Sequence, residues 1–243
     1  MSPDSPRELP LHGQVALVTG GSRGIGLAIA RRLGRMGGRI AVCGRNPAHL
    51  EQCAKSMQGD GIDVLAVTAD VSRAGDAGAL VERARQTFGE VDILVNNAGV
   101  GVFRPAHELS EEEWDRVMDT NLKGVFLMSR AVAPHMIRRR AGHIINISSL
   151  AGKNAFPGGA VYCASKWGLL GLTASMAEDL RGHGIRVSAV CPGSVATEFG
   201  PHAGKDPAKI LQPEDVAHAV GMLVTQSPLS FISEVSLRPT QKP

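Results

Sequence analysis

The chain has 243 residues, of which 43% are hydrophobic, 20% charged and only 4% aromatic. This composition is typical of a folded globular protein and excludes a mainly disordered one, and the length is sufficient for one α/β domain with a sheet buried on both faces. Lys and Arg exceed Asp and Glu by 26 − 23 = 3, a surplus too small to indicate nucleic-acid binding.

The N-terminal dozen residues contain Pro and charge but no apolar core typical of a secretory signal peptide. Gly or charged residues interrupt every apolar stretch before the ~18 residues that a membrane span requires. The four cysteines (Cys43, Cys53, Cys163 and Cys191) form no CxxC pair, so we expect reduced core thiols. The eight histidines show no metal-ligand spacing. We therefore predict a cytoplasmic protein with no membrane span and no metal site.

Short β-branched segments alternate with longer segments of helical periodicity. Strands are predicted at Val15–Thr19, Arg39–Cys43, Val64–Val67, Ile93–Val95, His143–Ile147, Arg186–Val190 and Phe231–Leu237. Helices are predicted at Ile25–Met36, Ala48–Met57, Gly75–Phe88, Glu111–Arg139, Tyr162–Arg181 and Glu214–Thr225. This alternation is typical of βαβ units. We predict an N-terminal tail over residues 1–12 and one doubly wound α/β (Rossmann) domain over 13–243, with a seven-stranded parallel sheet and three helices on each face.

A glycine-rich turn, TGGSRGIG at residues 19–26, joins the first strand to the first helix. A pyrophosphate needs close backbone approach without a Cβ and free amides at a helix N-terminus, and Gly20, Gly24 and Gly26 supply both. The turn therefore predicts a dinucleotide site, to which its other residues contribute: Ser22, Arg23 and Ile25.

Three motifs together resemble the short-chain dehydrogenase/reductase family. They are the glycine turn, Asn96-Asn97-Ala98-Gly99 after the fourth strand, and YCASK at residues 162–166. Their order and separation match over residues 11–240, and the resemblance is closest to the 3-oxoacyl-[acyl-carrier-protein] reductase branch. Those reductases usually end with Asp-Gly-Gly, where this chain has Arg238-Pro239-Thr240. We therefore favour a general carbonyl reductase, with the acyl reductase as the alternative.

The end of the second strand predicts which dinucleotide binds. An acidic residue there would bind the ribose hydroxyls of NAD, but this chain has Gly44, Arg45 and Asn46. Arg45, together with Arg23, could form charge-assisted contacts to a 2′-phosphate. We predict NADP(H) as the cofactor; the alternative is that both arginines are merely exposed.

The resemblance implies further cofactor contacts. Asp70, followed by Val71, would accept from the adenine amine, although Asp70 could instead cap the next helix. The Pro192-Gly193 pair would lie beside the nicotinamide, although a simple turn also explains it. The remaining implied contacts are Asn97, Ala98, Gly99, Val195 and Thr197.

Tyr162 and Lys166 lie four residues apart in a predicted helix and so share one face. A phenol has a reference pKa near 10, and the Lys166 ammonium is expected to lower the pKa of Tyr162. The resemblance implies that Ser149, rather than Ser148, orients the substrate oxygen and that Asn121 helps to hold a water linking Lys166 to solvent.

The predicted reaction is hydride transfer between the nicotinamide and a carbonyl carbon, with Tyr162 as general acid or base. Reduction is the expected direction, because NADP(H) is usually kept reduced. A non-catalytic NADP(H)-binding regulator is the alternative from another class, but such a protein would be expected to lose one of the four residues Asn121, Ser149, Tyr162 and Lys166.

The substrate pocket is predicted from segments that follow the motifs: residues 100–102, 151–156 and 198–211, the last read as a short lid. Two helices are predicted to mediate self-association, because Glu111–Arg139 and Tyr162–Arg181 carry apolar residues on more than one face. In the second these are Trp167, Leu169, Leu170, Leu172, Met176 and Leu180. The resemblance implies a homodimer or, preferably, a homotetramer. Packing against only the sheet and a neighbouring helix is the alternative.

Overall fold

The computed structural model describes residues 9–199, 206 and 209–241. Its sheet is parallel throughout, with strand order β3-β2-β1-β4-β5-β6-β7. The strands are β1 (Val15–Thr19), β2 (Arg39–Gly44), β3 (Val64–Thr68), β4 (Ile93–Asn96), β5 (Gly142–Ile147), β6 (Ile185–Pro192) and β7 (Glu234–Leu237). The strand order reverses between β1 and β4, where sheets of this kind bind ligands at their carboxyl ends. The predicted seven-stranded Rossmann sheet is confirmed.

Helices cover both faces of the sheet. Those in the described residues are α1 (Gly24–Arg35), α2 (Pro47–Gly59), α3 (Ala74–Phe88), α4 (Glu111–Met118), α5 (Gly124–Arg139), α6 (Ala160–Arg181) and α7 (Pro213–Val224). Ile29, Leu50 and Val220 place α1, α2 and α7 on one face. Residues of α3, α5 and α6 form the core on the other face. The predicted three helices per face are confirmed when α4 and α5 are counted together.

Strand β1 shows why its residues form a central strand. Ala16 and Val18 belong to the core on one face, and Val15 and Leu17 to the core on the other. All four are at most 1% exposed. Burial of a Val or Leu side chain contributes ~1.5–3 kcal/mol, so a continuous apolar strand is stable only between two helical layers.

The predicted single helix over Glu111–Arg139 is wrong in one respect. A π turn over Asp119–Lys123 separates α4 from α5. Within this turn, the side chain of Asn121 forms two hydrogen bonds with the backbone of Val100. A π turn leaves the apolar pattern intact on both sides, so periodicity does not reveal it.

The last strand was predicted to begin at Phe231 but begins at Glu234. Beside β6, the hydroxyl of Ser188 donates to the carbonyl of Ile232 at 2.7 Å. The amide of Ala189 then donates to the carbonyl of Ser233 at 2.9 Å. Over the first predicted residues of the strand, a hydrogen bond from the Ser188 side chain thus stands where a backbone hydrogen bond of the sheet was expected.

Part of the predicted tail packs into the domain, because Leu11 is 1% exposed and joins the core. Residues 1–8 of that tail lie outside the described residues. The four cysteines are free and buried, as expected for core thiols. No described helix is long and apolar enough to cross a membrane.

Candidate active site

A cleft of about 1380 Å³ follows the carboxyl ends of the strands. Its walls come from the turns after β1 to β6 and from the segment after β7. All of the predicted cofactor and catalytic residues line this cleft except Gly26 and Asn121, which lie behind its wall.

The glycine turn leaves the N-terminus of α1 open towards the cleft. Gly20 and Gly24 have φ angles of +63° and +53°, which favour glycine. A Cβ on Gly26 would lie 2.3 Å from the carbonyl oxygen of Gly20, so Gly26 permits the close packing of helix and turn. No side chain caps α1, and its first turn holds no acidic residue. These features fit a bound pyrophosphate.

Asn97 fastens the turn after β4 to the glycine turn. Its side-chain amide donates to the carbonyls of Thr19 and Gly20 at 3.0 and 3.1 Å. The hydroxyl of Thr19 accepts from the amides of Asn97 and Ala98 at 3.0 Å. The side-chain donors of Asn97 are therefore used in positioning the turn.

The predicted 2′-phosphate site is exposed at the end of β2. Arg45 is exposed and lines the cleft. Asn46 also lines the cleft, but its side chain accepts from the amide of His49 at 3.2 Å and caps α2. Sequence reasoning assigned Asn46 to the cofactor and missed this cap, which Pro47 at the first helical position could have indicated.

Asp70 closes the turn before α3. Its carboxylate accepts from the amide and hydroxyl of Ser72 at 3.0 and 2.7 Å. Burial acts to raise the pKa of Asp70, but these hydrogen bonds and the charges of Arg45 and Arg73 lower it overall. The N-cap of α3 is Arg73, so the alternative expectation that Asp70 caps this helix is wrong.

The guanidinium of Arg23 forms an ion pair with Glu198, which follows β6. The two side chains are 66% and 79% exposed, so the contact bridges the mouth of the cleft. Arg23 was expected to point towards the 2′-phosphate with Arg45, and in this structure its charge faces Glu198 instead.

Tyr162, Ser149 and Lys166 meet at the opposite end of the cleft. Ser149 precedes a 3-10 turn at Leu150–Gly152, where its hydroxyl accepts from the amide of Ala151 at 3.1 Å. The same hydroxyl donates to the carbonyl of Pro192 at 3.5 Å, and Ser149 lies close enough to Tyr162 to act on the pKa of the phenol. Ser148 is buried, and its hydroxyl donates to the carbonyl of Lys166 at 3.3 Å. Of the two serines, Ser149 is therefore the one beside Tyr162.

Burial shifts the pKa values of Tyr162 and Lys166 in opposite directions. It raises the pKa of Tyr162 to about 12, although the nearby Ser149 side chain acts to lower it. It lowers the pKa of Lys166 to about 8. The Lys166 ammonium lies 5.8 Å from the Tyr162 ring centre. The expected lowering of the Tyr162 pKa by Lys166 is not found in the protein alone, where burial raises this pKa and Ser149, not Lys166, acts to lower it.

Asn121 acts from behind the wall of the cleft. Its side-chain oxygen accepts from the amide of Val100 at 2.8 Å, and its nitrogen donates to the carbonyl of Val100 and the hydroxyl of Ser165 at 2.9 and 3.0 Å. A Cβ on Gly99 would lie 3.4 Å from the Asn121 side-chain oxygen and 3.9 Å from the Lys166 nitrogen. Gly99 therefore lies beside both side chains.

The segment after β6 completes the reacting end. The amide of Gly193 donates to the carbonyl of Leu237 at 2.9 Å, and Val195 forms a β-bridge with Leu211. Thr197 lies opposite the glycine turn, 3.4 Å from where a Cβ of Gly24 would stand. Most of the predicted lid, residues 200–205 and 207–208, lies outside the described residues.

Sequence reasoning missed several residues of the cleft, among them one aromatic residue and the segment after the last strand. Phe103 lines it one residue beyond the predicted pocket segment. Arg238, Pro239, Thr240 and Gln241 line it after β7. The parallel arrangement was the available signal, because β7 ends at the same edge as the other strands. Among the described residues, no group of three or more His, Cys, Asp or Glu could hold a metal ion.

Comparison with known proteins identifies the family. The profile described as short chain dehydrogenase matches residues 14–208. The chain belongs to the short-chain dehydrogenase/reductase family. The resemblance of its motifs to this family is thereby confirmed.

Individual relatives agree with this membership. The chain is 44% identical over 200 residues to a granaticin polyketide synthase putative ketoacyl reductase from Streptomyces violaceoruber, covering 82% of this chain and 74% of that protein. It is 36% identical over 231 residues to a 3-oxoacyl-[acyl-carrier-protein] reductase from Synechocystis, covering 92% and 94%. A metagenomic short-chain oxidoreductase in complex with NADP shares 46% identity with a TM-score of 0.85, covering 96% of this chain and all of that chain.

These relatives support the predicted enzyme class. The chain is an oxidoreductase acting on a CH–OH or C=O group. Its cofactor is NADP(H), as expected from the absence of an acidic residue at the end of β2.

Proposed function

We propose that this oxidoreductase reduces a ketone to a secondary alcohol, with Tyr162 as the general acid. The observation that carries the proposal is the meeting of Tyr162, Ser149 and Lys166 in the lining of one cleft, with the Lys166 ammonium 5.8 Å from the ring centre of Tyr162. The Tyr162 pKa of about 12 keeps the phenol protonated at neutral pH. A protonated phenol is the form that reduction needs, whereas alcohol oxidation would need the phenolate.

Each polar group at this end has a place in the proposed reduction. Ser149 and Tyr162 donate hydrogen bonds to the ketone oxygen and polarise it. The nicotinamide, when bound, supplies the hydride to the carbonyl carbon. Tyr162 transfers its proton to the oxygen as negative charge develops there. The Lys166 ammonium stabilises the phenolate that remains until solvent returns the proton.

Cofactor contacts follow from the open turn and the two strand ends. We propose that the amides at the start of α1 bind the pyrophosphate, and that Arg45 pairs with the 2′-phosphate. The positive charge of Arg45 acts to lower the pKa of Asp70, so the two side chains lie near each other. We propose that Asp70 orients the Arg45 side chain and also contacts the adenine. Val195 and Thr197 are proposed to bind the nicotinamide carboxamide.

Reduction of a 3-oxoacyl chain on acyl carrier protein is the second candidate. The similarity to the Synechocystis enzyme over 94% of its length favours it. The segment after β7 counts against it, because Arg238 and its successors occupy the place of the usual Asp-Gly-Gly and line the cleft. A thioester of acetoacetate serves as the probe for this candidate.

We also propose that the protein is a homo-oligomer, preferably a tetramer. Trp114 on α4 is 43% exposed and Trp167 on α6 is 55% exposed. Leu169 and Leu180 are buried in the core, so only part of the predicted apolar surplus faces outward. Two large exposed side chains on the predicted helices favour self-association. The cytoplasmic location stays a prediction.

The proposed function is tested by following NADPH oxidation with a panel of aryl and alkyl ketones and acetoacetyl-N-acetylcysteamine. We expect NADPH to be consumed one-to-one with a chiral secondary alcohol identified by chromatography. Consumption of NADPH with none of these carbonyl compounds, while the protein still binds NADPH, would contradict a ketone reductase.

A further inference from the structure

Four of the chain's few aromatic side chains meet at the reacting end of the cleft. The ring of Phe103 contacts the ring of Tyr162 edge-to-face, with centres 5.4 Å apart and planes at 62°. The ring of Phe199 also contacts that of Tyr162, with ring centres 5.7 Å apart and planes at 50°. Phe156 extends this group, 6.1 Å from Phe103. We call Phe103, Phe156 and Phe199 the aromatic wall.

The aromatic wall is assembled from three separate loops. Phe103 follows β4, Phe156 follows β5 and Phe199 follows β6. All three line the same cleft as Ser149 and Tyr162. Because each loop begins at the carboxyl edge of the sheet, the wall lies where a substrate must enter to reach the phenol of Tyr162.

Two glycines leave space in which rings of the aromatic wall pack against the backbone. A Cβ on Gly101 would lie 2.8 Å from the ring of Phe103 and 3.4 Å from that of Phe199. A Cβ on Gly159 would lie 2.8 Å from the ring of Phe156. Neither glycine has a φ that requires glycine, since neither has a positive φ. Both are therefore explained by the space that the rings occupy.

The wall is apolar and incompletely covered. Phe103, Phe156 and Phe199 are 36%, 43% and 42% exposed, whereas Tyr162 is 9% exposed. Exposed ring area favours covering by an apolar group. The polar donors for an oxygen, Ser149 and Tyr162, adjoin the wall directly. The site therefore combines two neighbouring hydrogen-bond donors, Ser149 and Tyr162, with an extended apolar and aromatic surface.

We infer that the substrate is an aryl ketone, in which an aromatic ring is bonded directly to the carbonyl carbon; this rests on the proposed function. With its oxygen on Ser149 and Tyr162, such a ketone places its ring against Phe103 and Phe199. Ring pairs prefer edge-to-face or offset packing, worth roughly two- to tenfold in affinity beyond burial alone. A saturated ring of the same size would gain only the burial.

The test compares acetophenone with cyclohexyl methyl ketone, which match in size but differ in ring character. The ratio of their kcat/KM values is measured for the wild type and for Phe103→Leu, Phe199→Leu and Phe103→Trp. Because the intrinsic reactivity of the two ketones is the same in each protein, it cancels when ratios are compared. Phe126→Leu is the matched control, since Phe126 is exposed on α5 outside the cleft lining; because α5 belongs to a segment predicted to mediate self-association, light scattering checks that this variant keeps the wild-type mass.

We expect each Leu variant to lower the aryl-to-cyclohexyl ratio at least twofold, mainly through KM, while Phe103→Trp and Phe126→Leu change it less than twofold. Inhibition constants of 1-phenylethanol and 1-cyclohexylethanol should change in parallel, because they report binding without turnover. An unchanged ratio in both Leu variants, with both ketones still reduced, would overturn the aryl-ketone inference and leave the proposed reductase intact. Turnover of no ketone by the wild type would overturn the proposed function itself, and the inference with it.

Discussion

The ammonium of Lys166 donates a 2.9 Å hydrogen bond to the carbonyl oxygen of Ile147, at the end of β5. Lys166 is 5% exposed, so its charge is buried at the wall of the cleft with this carbonyl as its hydrogen-bond acceptor. The contact fixes the distance between α6 and the sheet at the point where Tyr162 reaches the cleft. Because folding buries the Lys166 ammonium, the free energy of unfolding depends on whether this group is protonated.

The first prediction concerns the effect of this burial on stability. The pKa of Lys166 falls from 10.5 to about 8 on folding, so between these values the unfolded chain holds more protons than the folded one. The free energy of unfolding of the wild type, relative to Lys166→Met, should therefore rise between pH 8 and pH 10.5, by at most about 3 kcal/mol.

Urea unfolding of both proteins at several pH values measures this difference. The charge of Lys166 acts to lower the pKa of Cys191, so both proteins carry Cys191→Ala and the comparison isolates Lys166. A difference that stays constant from pH 8 to pH 10.5 would show that the Lys166 pKa is not lowered by folding.

The second prediction concerns the choice between NADPH and NADH. Arg45→Asp would place a carboxylate beside the 2′-phosphate, so the preference of the wild type for NADPH, expected to be tenfold or more, should be lost. Fluorescence titration with both cofactors measures it. Arg83→Asp, an equal charge change on an exposed position of α3, serves as control and should keep the preference. Equal affinity of the wild type for both cofactors would disprove the assignment of Arg45.

The third prediction concerns the pair between Arg23 and Glu198. Glu198→Gln should release the Arg23 guanidinium for the phosphates of the cofactor and tighten NADPH binding. An exposed ion pair contributes at most ~1 kcal/mol, so the gain should not exceed about fivefold in Kd. Glu178→Gln breaks a comparable exposed pair with Arg181 on α6 and should change nothing. Weaker NADPH binding by Glu198→Gln would mean that the pair supports the bound cofactor instead of competing with it.

The fourth prediction concerns self-association. Light scattering of the wild type at micromolar concentration should give a mass of a dimer or, preferably, a tetramer of 25.5 kDa chains. Trp167→Glu places a charge on the exposed face of α6 and should shift the population to smaller species. Trp167→Phe keeps an apolar ring and should not. A wild-type mass near 25.5 kDa would rule out the homo-oligomer.

Much of the fold could be predicted from the sequence because its signals are local and repeated. An apolar run such as residues 15–18 of β1 indicates a strand covered on both faces. The turn at residues 19–26 combines a strand end, glycines and a helix start within eight residues. In parallel sheets such turns lie at one edge, so their convergence on a single cleft followed from the alternation of elements.

The parts that could not be predicted depend on tertiary contacts. The π turn at Asp119–Lys123 has the apolar pattern of an uninterrupted helix. Phe103 and Phe199 both contact the ring of Tyr162, although their loops lie almost a hundred residues apart in the sequence. The raised pKa of Tyr162 arises from desolvation, which spacing from Lys166 does not reveal. The partner of Arg23 likewise comes from a segment 175 residues later.

The measurement that tests the central claim most directly is the single-turnover rate of NADPH oxidation by a ketone in Tyr162→Phe. This change removes only the hydroxyl, so folding and the Kd for NADPH should match the wild type. Loss of general acid catalysis typically costs ~10²–10⁴-fold in rate, and we predict a decrease in this range. A variant that retains more than a tenth of the wild-type rate would contradict Tyr162 as the proton donor.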